Sequence, residues 1–548
     1  MRKLLSGSAV TLPAATVFLL ALSAVPPAGM TGTAGNAVTA GMAGTARTAG
    51  AAGASGVPGA APERGSDLAE LVTIKDVRRH LEAFRQIAEY NGGNRASGTS
   101  GYEVSVKYVV GRLRKAGYSP SVQKFVYPYW QERSAPVMSR TSGKGKGKGK
   151  GKDAKKAYKA GLDFVTMMYS GSGDVTARVT PVDVPAKGKD GTSGCEKKDF
   201  KGFAKGSIAL MQRGKCTFAT KAARARTAGA AAAVIYNKPG EAGPISGTLG
   251  ERSKLPVVAA SHQVGAELAK AAAKGGLTMR VKTVTEHGKR TSSNVVADTE
   301  RGRADNVVVA GAHLDSVPDG PGINDNATGA AALLAVAEEI GELGGKGLRN
   351  RVRFAWWGAE EEGLRGSTHY VEELDPSDRR HIALNLNFDM LGSPNGVRGV
   401  YDGDHSLGTG TTPPAGSAAI EKMFREYFKG RGLPTDDYVF NGRSDYGPFI
   451  EHGIPAGGLA TGADGVKTAA EAKKYGGRAG KTYDPCYHAK CDGLKNVNMK
   501  LLDTNVDGVA HVTQLLAAST VAVNGDARLQ RVRRTAAAPL WSGGHLLR

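Results

Sequence analysis

Residues 306–326 read NVVVAGAHLDSVPDGPGINDN, and their interpretation decides the fold. NVVVAGA is apolar and β-branched, the pattern of a buried strand. It runs into His313, Leu314 and Asp315, then a Gly/Pro-rich loop carrying Asp325 and Asn326. ATGAAALLAVAEEIGEL follows, rich in Ala and Leu with an apolar stripe, and predicts a helix. Strand, loop and helix make an α/β unit, and such sheets bind ligands beyond the carboxyl ends of their strands. His313, Asp315 and Asp325 stand at one such end.

Working outward, the α/β pattern extends from Arg290 to about Val523. SNVVADT, HIALNLNFDMLG and GIPAGGLATG read as strands, RVRFAWWGAEEEG as a strand entering a helix, and SAAIEKMFREYFKGRG as a helix. VTIKDVRRHLEAFRQIAEYN and SGYEVSVKYVVGRLRKAGY have helical spacing, SPSVQKFVYPYW alternates as a strand, and all three belong with the same domain. Between lies a separate block with strand-like SIALMQRG, AAAVIYN and LPVVAAS around the helical CTFATKAARARTAGA; it holds no cluster of His and carboxylate residues. The expected organisation is a catalytic domain at 67–142 and 286–523, interrupted by a Gly-Lys linker at 143–157 and a β-rich insertion at 158–285. The expected fold class is α/β, a mixed, largely parallel sheet flanked by helices.

A chain of 548 residues exceeds one ordinary domain. Met1-Arg2-Lys3 and the apolar run through Leu22 predict a signal peptide at 1–24, with cleavage near Ser23 to Ala24. That implies a secreted, extracellular protein. No later stretch is apolar and long enough for a bilayer span, so stable membrane insertion is not expected. Residues 25–66, mostly Ala, Gly and Thr, cannot bury a core and read as a disordered leader or propeptide. The formal charge of +22 invites a nucleic-acid reading. Much of the excess is local, however: 143–159 alone carries eight lysines and a single aromatic. It reads as a solvated linker, and the tail at 524–548 is basic too. No nucleic-acid partner is expected; an anionic surface such as a cell wall is the partner this charge would suit. Four cysteines in an exported chain suggest two disulfides. Pairing Cys195 with Cys216 and Cys486 with Cys491 is the simplest of three connectivities, and a four-thiolate zinc site lacks its usual spacing.

Five ligand-type residues, His313, Asp325, Glu361, Asp389 and His488, fall at strand ends or in loops of the α/β part. Imidazole and carboxylate suit zinc at about 2.0–2.2 Å. Any one alone is unremarkable, since an Asp after a strand is usually a cap or turn residue. All five at strand ends and loops is a different matter.

Five segments, AHLDSVPDGPGINDN, RFAWWGAEEEGLRGS, NLNFDMLGSPN, NGRSDYGPF and DPCYHAKCD, together with NGGNR near residue 92, resemble the motifs of the secreted two-zinc aminopeptidases of the bacterial leucyl aminopeptidase type. The block from Gly194 to Asn237 resembles the protease-associated domain, a β-rich module, and the resemblance implies that it gates or orients substrates. The resemblance implies a zinc exopeptidase fold and hydrolysis of N-terminal residues from peptides with a free amine. It implies two zinc ions, His313 and Asp389 holding one, Glu361 and His488 the other, with Asp325 bridging. Glu360 would be the general base, moving a proton from water to the leaving amine. Asp315 would accept a hydrogen bond from the His313 ring and fix its tautomer. Tyr487 would stabilise the oxyanion. Arg443 would position substrate, and Glu360 and Asp389 would hold the free amine. Ala460 stands where relatives carry an aromatic, which weakens the case for a leucine preference. Asp503 and Asp507 resemble calcium positions of some relatives, but no partner acid near the mature N-terminus is evident, which leaves calcium doubtful. Carboxypeptidases, glutaminyl cyclases and metal-free receptors on the same fold are the rival readings.

Overall fold

The computed structural model describes residues 67–141, 155–184, 192–241, 243–245 and 247–525. The expected signal peptide, leader, most of the Gly-Lys linker and all but two residues of the basic tail lie outside them.

The order of the main sheet, by strand range, begins Asp436–Tyr438, Gly399–Tyr401, Ala456–Ala460, Ile382–Asp389, Arg303–His313, Asn350–Trp357 and Thr278–Asp298. Arg303–His313 lies between two parallel neighbours, Asn350–Trp357 and Ile382–Asp389. A central parallel strand is covered on both faces, which is why NVVVAGAH is apolar without alternation. The helix Thr328–Glu342 lies against it, and every residue from Thr328 to Glu338 is buried. Leu333, Leu334 and Val336 pack there with Phe354, Leu384, Phe388, Leu502 and Val509 in one core. Ile74–Tyr90 and Met499–Ala518 cover the outer side of this helix, so it is apolar nearly all round.

The sheet continues into the inserted block through Gly173–Pro181, Ile208–Gln212, Ala232–Tyr236, Val257–Ala260 and Phe164–Thr166. One strand, Thr278–Asp298, joins the halves. Its end at Val295–Asp298 pairs with Arg353–Trp356, its beginning at Thr278–Thr283 pairs with Gly173–Arg178, and Ser121–Thr141 runs antiparallel along its length. The expected boundary at residue 285 therefore falls inside a continuous strand. Both halves keep their own cores: Phe164, Leu210, Val234 and Val258 pack on one face of the inserted sheet, Met211, Phe218, Ile235 and Leu249 on the other. Cys195–Cys216 and Cys486–Cys491 are disulfide-bonded, the near-neighbour pairing.

One local expectation is corrected. AEEEG does not begin a helix: the strand ends at Trp357, Glu360–Glu362 form a turn, and the helix starts at Arg365. Two left-handed residues, Ala359 at φ 55° and Leu364 at φ 58°, bracket the glutamates, and a helix cannot pass through that backbone.

Candidate metal centre

The five ligand-type residues converge at the carboxyl ends of the parallel strands. His313 closes Arg303–His313, Asp389 closes Ile382–Asp389, and Glu361 follows Asn350–Trp357. Asp325 comes from the loop before the central helix, and His488 from the loop closed by Cys486–Cys491. Asp325 stands in the middle, with Oδ1 3.2 Å from Nε2 of His313 and Oδ2 3.2 Å from Nε2 of His488. On one side His313 Nε2 faces Asp389 Oδ1 at 3.4 Å; on the other His488 Nε2 faces Glu361 Oε2 at 2.9 Å. His313, Asp325 and Glu361 can each offer one atom to a common point.

Three of these spacings come within about 0.1 Å of what metal needs, while His488 and Glu361, at 2.9 Å, would have to part slightly. Donors at about 2.0–2.2 Å around a tetrahedral zinc lie roughly 3.3–3.6 Å from one another. Glu361 Oε1 and Asp389 Oδ1 are buried without a hydrogen-bond partner, which a cation between the donors would supply. Charge points the same way. Burial alone lowers the His488 imidazole, but the carboxylates of Glu361 and Asp325 override it and raise it to about 10. His313 is likewise held high: burial opposes the charge, and Asp389 and Glu360 outweigh it. Asp325, although buried, is pulled well below the usual carboxylate range by the two imidazoles. So crowded an acidic cluster takes up positive charge.

Glu360 is buried beside these residues. Burial, and then the nearby Glu361, Asp445 and Asp389 against the pull of His313, raise its carboxyl well above the usual value. Three site residues or their neighbours sit in the left-handed region: Ala359 before Glu360, Met390 after Asp389 at φ 57°, and His488 itself at φ 54°. Non-glycine residues hold such angles only where surrounding contacts fix them.

Asp315 departs from expectation in detail. Nδ1 of His313 faces its main-chain carbonyl at 3.1 Å, while its carboxylate stands 3.8 Å away. That carboxylate instead accepts the amides of Glu360 at 3.2 Å and Glu361 at 3.4 Å. Asp315 thus ties the first ligand loop to the glutamate turn. Tyr487 stacks on His488 with ring centroids 3.8 Å apart, and its hydroxyl accepts from Arg443 Nη2 at 3.1 Å. Arg443 Nη1 also pairs with Asp464 at 2.9 Å. Tyr487, Arg443, Glu360, Asp389 and Ala460 line a cleft of about 470 Å³, including its open mouth, with Tyr401 and Tyr438 at its wall.

Several residues here were not singled out by sequence. Asp492 accepts the amides of Asn324 at 2.8 Å and Asp325 at 3.0 Å. Asp484 accepts from Asn324 Nδ2 at 2.7 Å and from Asn496. Arg95, fully buried, donates to the carbonyls of Leu314, Pro321 and Gly322 and so pins the loop between His313 and Asp325. Asp445 is buried with neither carboxylate oxygen hydrogen-bonded, and burial pushes it up to about 7. The only hint available beforehand was position within motifs. Asp503 and Asp507 lie on Met499–Ala518, away from the five-residue cluster. Burial, then Asp503, raises Asp507 to about 6, with Asp67 adding to it and Arg431 opposing.

Comparison with known proteins gives the family. Peptidase family M28 matches residues 294–513, and the PA domain matches residues 175–268. An aminopeptidase of Pseudomonas aeruginosa is 44% identical over 84% of this chain and 84% of its own length. Leucine aminopeptidase 2 of Arthroderma otae is 37% identical over 83% of this chain and 86% of its own. Among solved structures, the aminopeptidase from Aneurinibacillus sp. strain AM-1 superposes with a TM-score of 0.62 at 25% identity, covering 82% of this chain and 94% of that one. Likeness of this extent, joined to the family match across the strands and turns that bear the candidate ligands, settles the kinship: the chain belongs to peptidase family M28.

Proposed function

We propose that the protein is a secreted zinc aminopeptidase that releases the N-terminal residue of peptides, with Glu360 as general base. The observation that carries this reading is Asp325, whose two oxygens each face one imidazole at 3.2 Å, with Asp389 and Glu361 completing the two sides. His313, Asp389 and Asp325 would hold one zinc, and His488, Glu361 and Asp325 the other. Bound there, zinc supplies Lewis acidity toward the scissile carbonyl and a water that loses its proton near neutral pH.

The chain's own groups do the rest. Glu360, beside the cluster and outside the ligand set, takes the proton of the attacking water and hands it to the leaving amine. The Tyr487 hydroxyl, aimed by Arg443, hydrogen-bonds the carbonyl oxygen as negative charge develops on it. Glu360 and Asp389 on the cleft wall attract the free α-amine of the substrate, which selects an N-terminus. Arg443 is engaged with Asp464 and Tyr487, and this disfavours it as the carboxylate holder a carboxypeptidase would need. The relatives named as aminopeptidases support the same reaction. Secretion is supported by the N-terminal sequence pattern and the two disulfides. Among the described residues no helix is long and apolar enough to cross a membrane.

The test uses the mature protein with peptides blocked at either end. Release of the first residue from C-terminal amides, no action on N-acetylated peptides, and loss of activity to a chelator with recovery on zinc are expected. Equal cleavage of N-acetylated peptides overturns the reading.

A further inference from the structure

The glutamate turn is gripped from two sides. The Asp315 carboxylate takes the amides of Glu360 and Glu361. The turn also closes on itself, with Gly363 and Leu364 donating to the Glu360 carbonyl at 2.8 Å each and Arg365 N–H to the Ala359 carbonyl at 2.9 Å. The Arg365 side chain then leaves the turn. Its Nε donates back to the Glu362 carbonyl at 3.0 Å, and its Nη2 donates to the Tyr169 hydroxyl and the Gly250 carbonyl, both at 3.2 Å. Tyr169 and Gly250 belong to the inserted β-rich block. One guanidinium therefore joins the turn that carries Glu360 and Glu361 to a domain with no ligand of its own in the cluster.

The far end of this link is firmly built. Tyr169 is buried, at φ 64°, and its hydroxyl donates to the Pro128 carbonyl at 2.6 Å on the long ribbon. Its carbonyl accepts from Ser253 at 2.9 Å, and Leu249 donates to the Met168 carbonyl at 3.0 Å, so the Tyr169 and Gly250 segments are braced together. The neighbouring Ser170 carbonyl accepts from Thr285 Oγ1 at 2.9 Å and faces His287 Nε2 at 2.9 Å. The near end needs such support. Ala359 and Leu364 hold left-handed angles on either side of the glutamates, and such backbone persists only where its surroundings over-determine it. A guanidinium suits the task because its donors are fixed in one plane.

We infer that Arg365 is a positioning residue through which the inserted domain holds the Glu360–Glu361 turn in its working geometry. The inserted domain thereby contributes to turnover itself. This rests on Glu360 and Glu361 having the roles proposed above. Small displacements of a catalytic group lower the rate steeply, and Glu360 acts on the chemical step as well as on the substrate amine, so kcat falls by more than KM rises.

The experiment compares Arg365→Met, Tyr169→Phe and the double variant as zinc-loaded mature protein, with kcat, KM, zinc content and Tm recorded for each. Loss of a charge-assisted link predicts kcat roughly tenfold lower in fully zinc-loaded Arg365→Met, with KM rising by a smaller factor. Tyr169→Phe lowers kcat by a smaller factor, and the double variant is no slower than Arg365→Met, because both break one link. Unchanged kcat in Arg365→Met, additive losses in the double variant, or a loss accounted for by missing zinc overturns the inference. If Arg365→Met does not fold, Arg365→Lys takes its place: it keeps the charge without the planar fork, and parental kcat in that variant overturns the inference equally. Failure of the underlying reading looks different, since full turnover by Glu360→Ala removes the base assignment while leaving the Arg365–Tyr169 coupling on kcat intact.

Discussion

Asp492 holds Asp325 by its main chain: its Oδ2 accepts the Asp325 amide at 3.0 Å while its Oδ1 accepts that of Asn324 at 2.8 Å. Asp492 directly follows Cys491, in the loop that delivers Tyr487 and His488. One buried carboxylate thus ties Asp325 to the loop that carries His488, two of the candidate ligands. Replacing it with Ala leaves two buried amides without acceptors and frees the backbone of Asp325. Zinc affinity, measured by competition with a chelator, should fall about 10–100-fold. Parental affinity in Asp492→Ala would remove this role.

Glu360→Ala keeps all five ligand-type residues. Zinc content should stay at the parental level while kcat falls about 10²–10⁴-fold, the usual weight of a positioned acid–base group. Full turnover by a zinc-loaded variant refutes the base assignment.

Gly329, the second residue of the central helix, packs against the segments that carry Asp325 and Asp389. A Cβ there would meet the Phe388 carbonyl at 2.2 Å and Asn326 Oδ1 at 2.5 Å. Both neighbours adjoin candidate ligands, Asp389 and Asp325. Gly329→Ala should push these segments apart and lower Tm, with destabilisation of about 1–3 kcal/mol, and should weaken zinc binding as well. A variant with unchanged Tm and zinc affinity contradicts the packing described.

Far from the cleft, Glu338 receives Arg112 Nε at 2.5 Å and Nη2 at 2.7 Å, with His80 Nε2 3.5 Å away. Burial raises its carboxyl, but the nearby His80 imidazole and the bonded Arg112 guanidinium prevail and hold it at about 2. A carboxyl depressed in the folded state stabilises above its unfolded value, about 4.3, and that stabilisation is lost as pH falls toward 2. His80 works in the same direction, because burial lowers its imidazole and acid must charge it inside the protein. Glu338→Gln should lower Tm at pH 7 and flatten the fall in Tm below pH 4.5. Thermal scans across this range check it, and an unchanged acid slope would show that the cluster does not contribute.

Much of this architecture was legible beforehand for a physical reason. NVVVAGAH, HIALNLNFD and the Ala-rich helix after Asp325 are elements covered on both faces, so their apolar runs carry the signal undiluted. The candidate ligands could be picked out because each lies where such a run stops. The glutamate turn was misread at its helix start because left-handed angles at Ala359 and Leu364 leave no mark in residue type. Arg365, Asp492 and Arg95 were passed over because an ordinary charged residue reveals its partner only when distant segments meet.

By itself the sequence determined most of the strands and helices and the set of candidate donor residues, since these depend on local periodicity and on motif content along the chain; it left three disulfide pairings open, and the structure has the near-neighbour one. Tertiary structure alone decided that Asp325 stands between the two imidazoles, that Asp315 faces the glutamate amides with its carboxylate, and that one strand is shared by both halves of the molecule. Those relations join residues tens to hundreds of positions apart, and distance in space is set by the packing of the whole sheet and its helices, which no local pattern of side chains encodes.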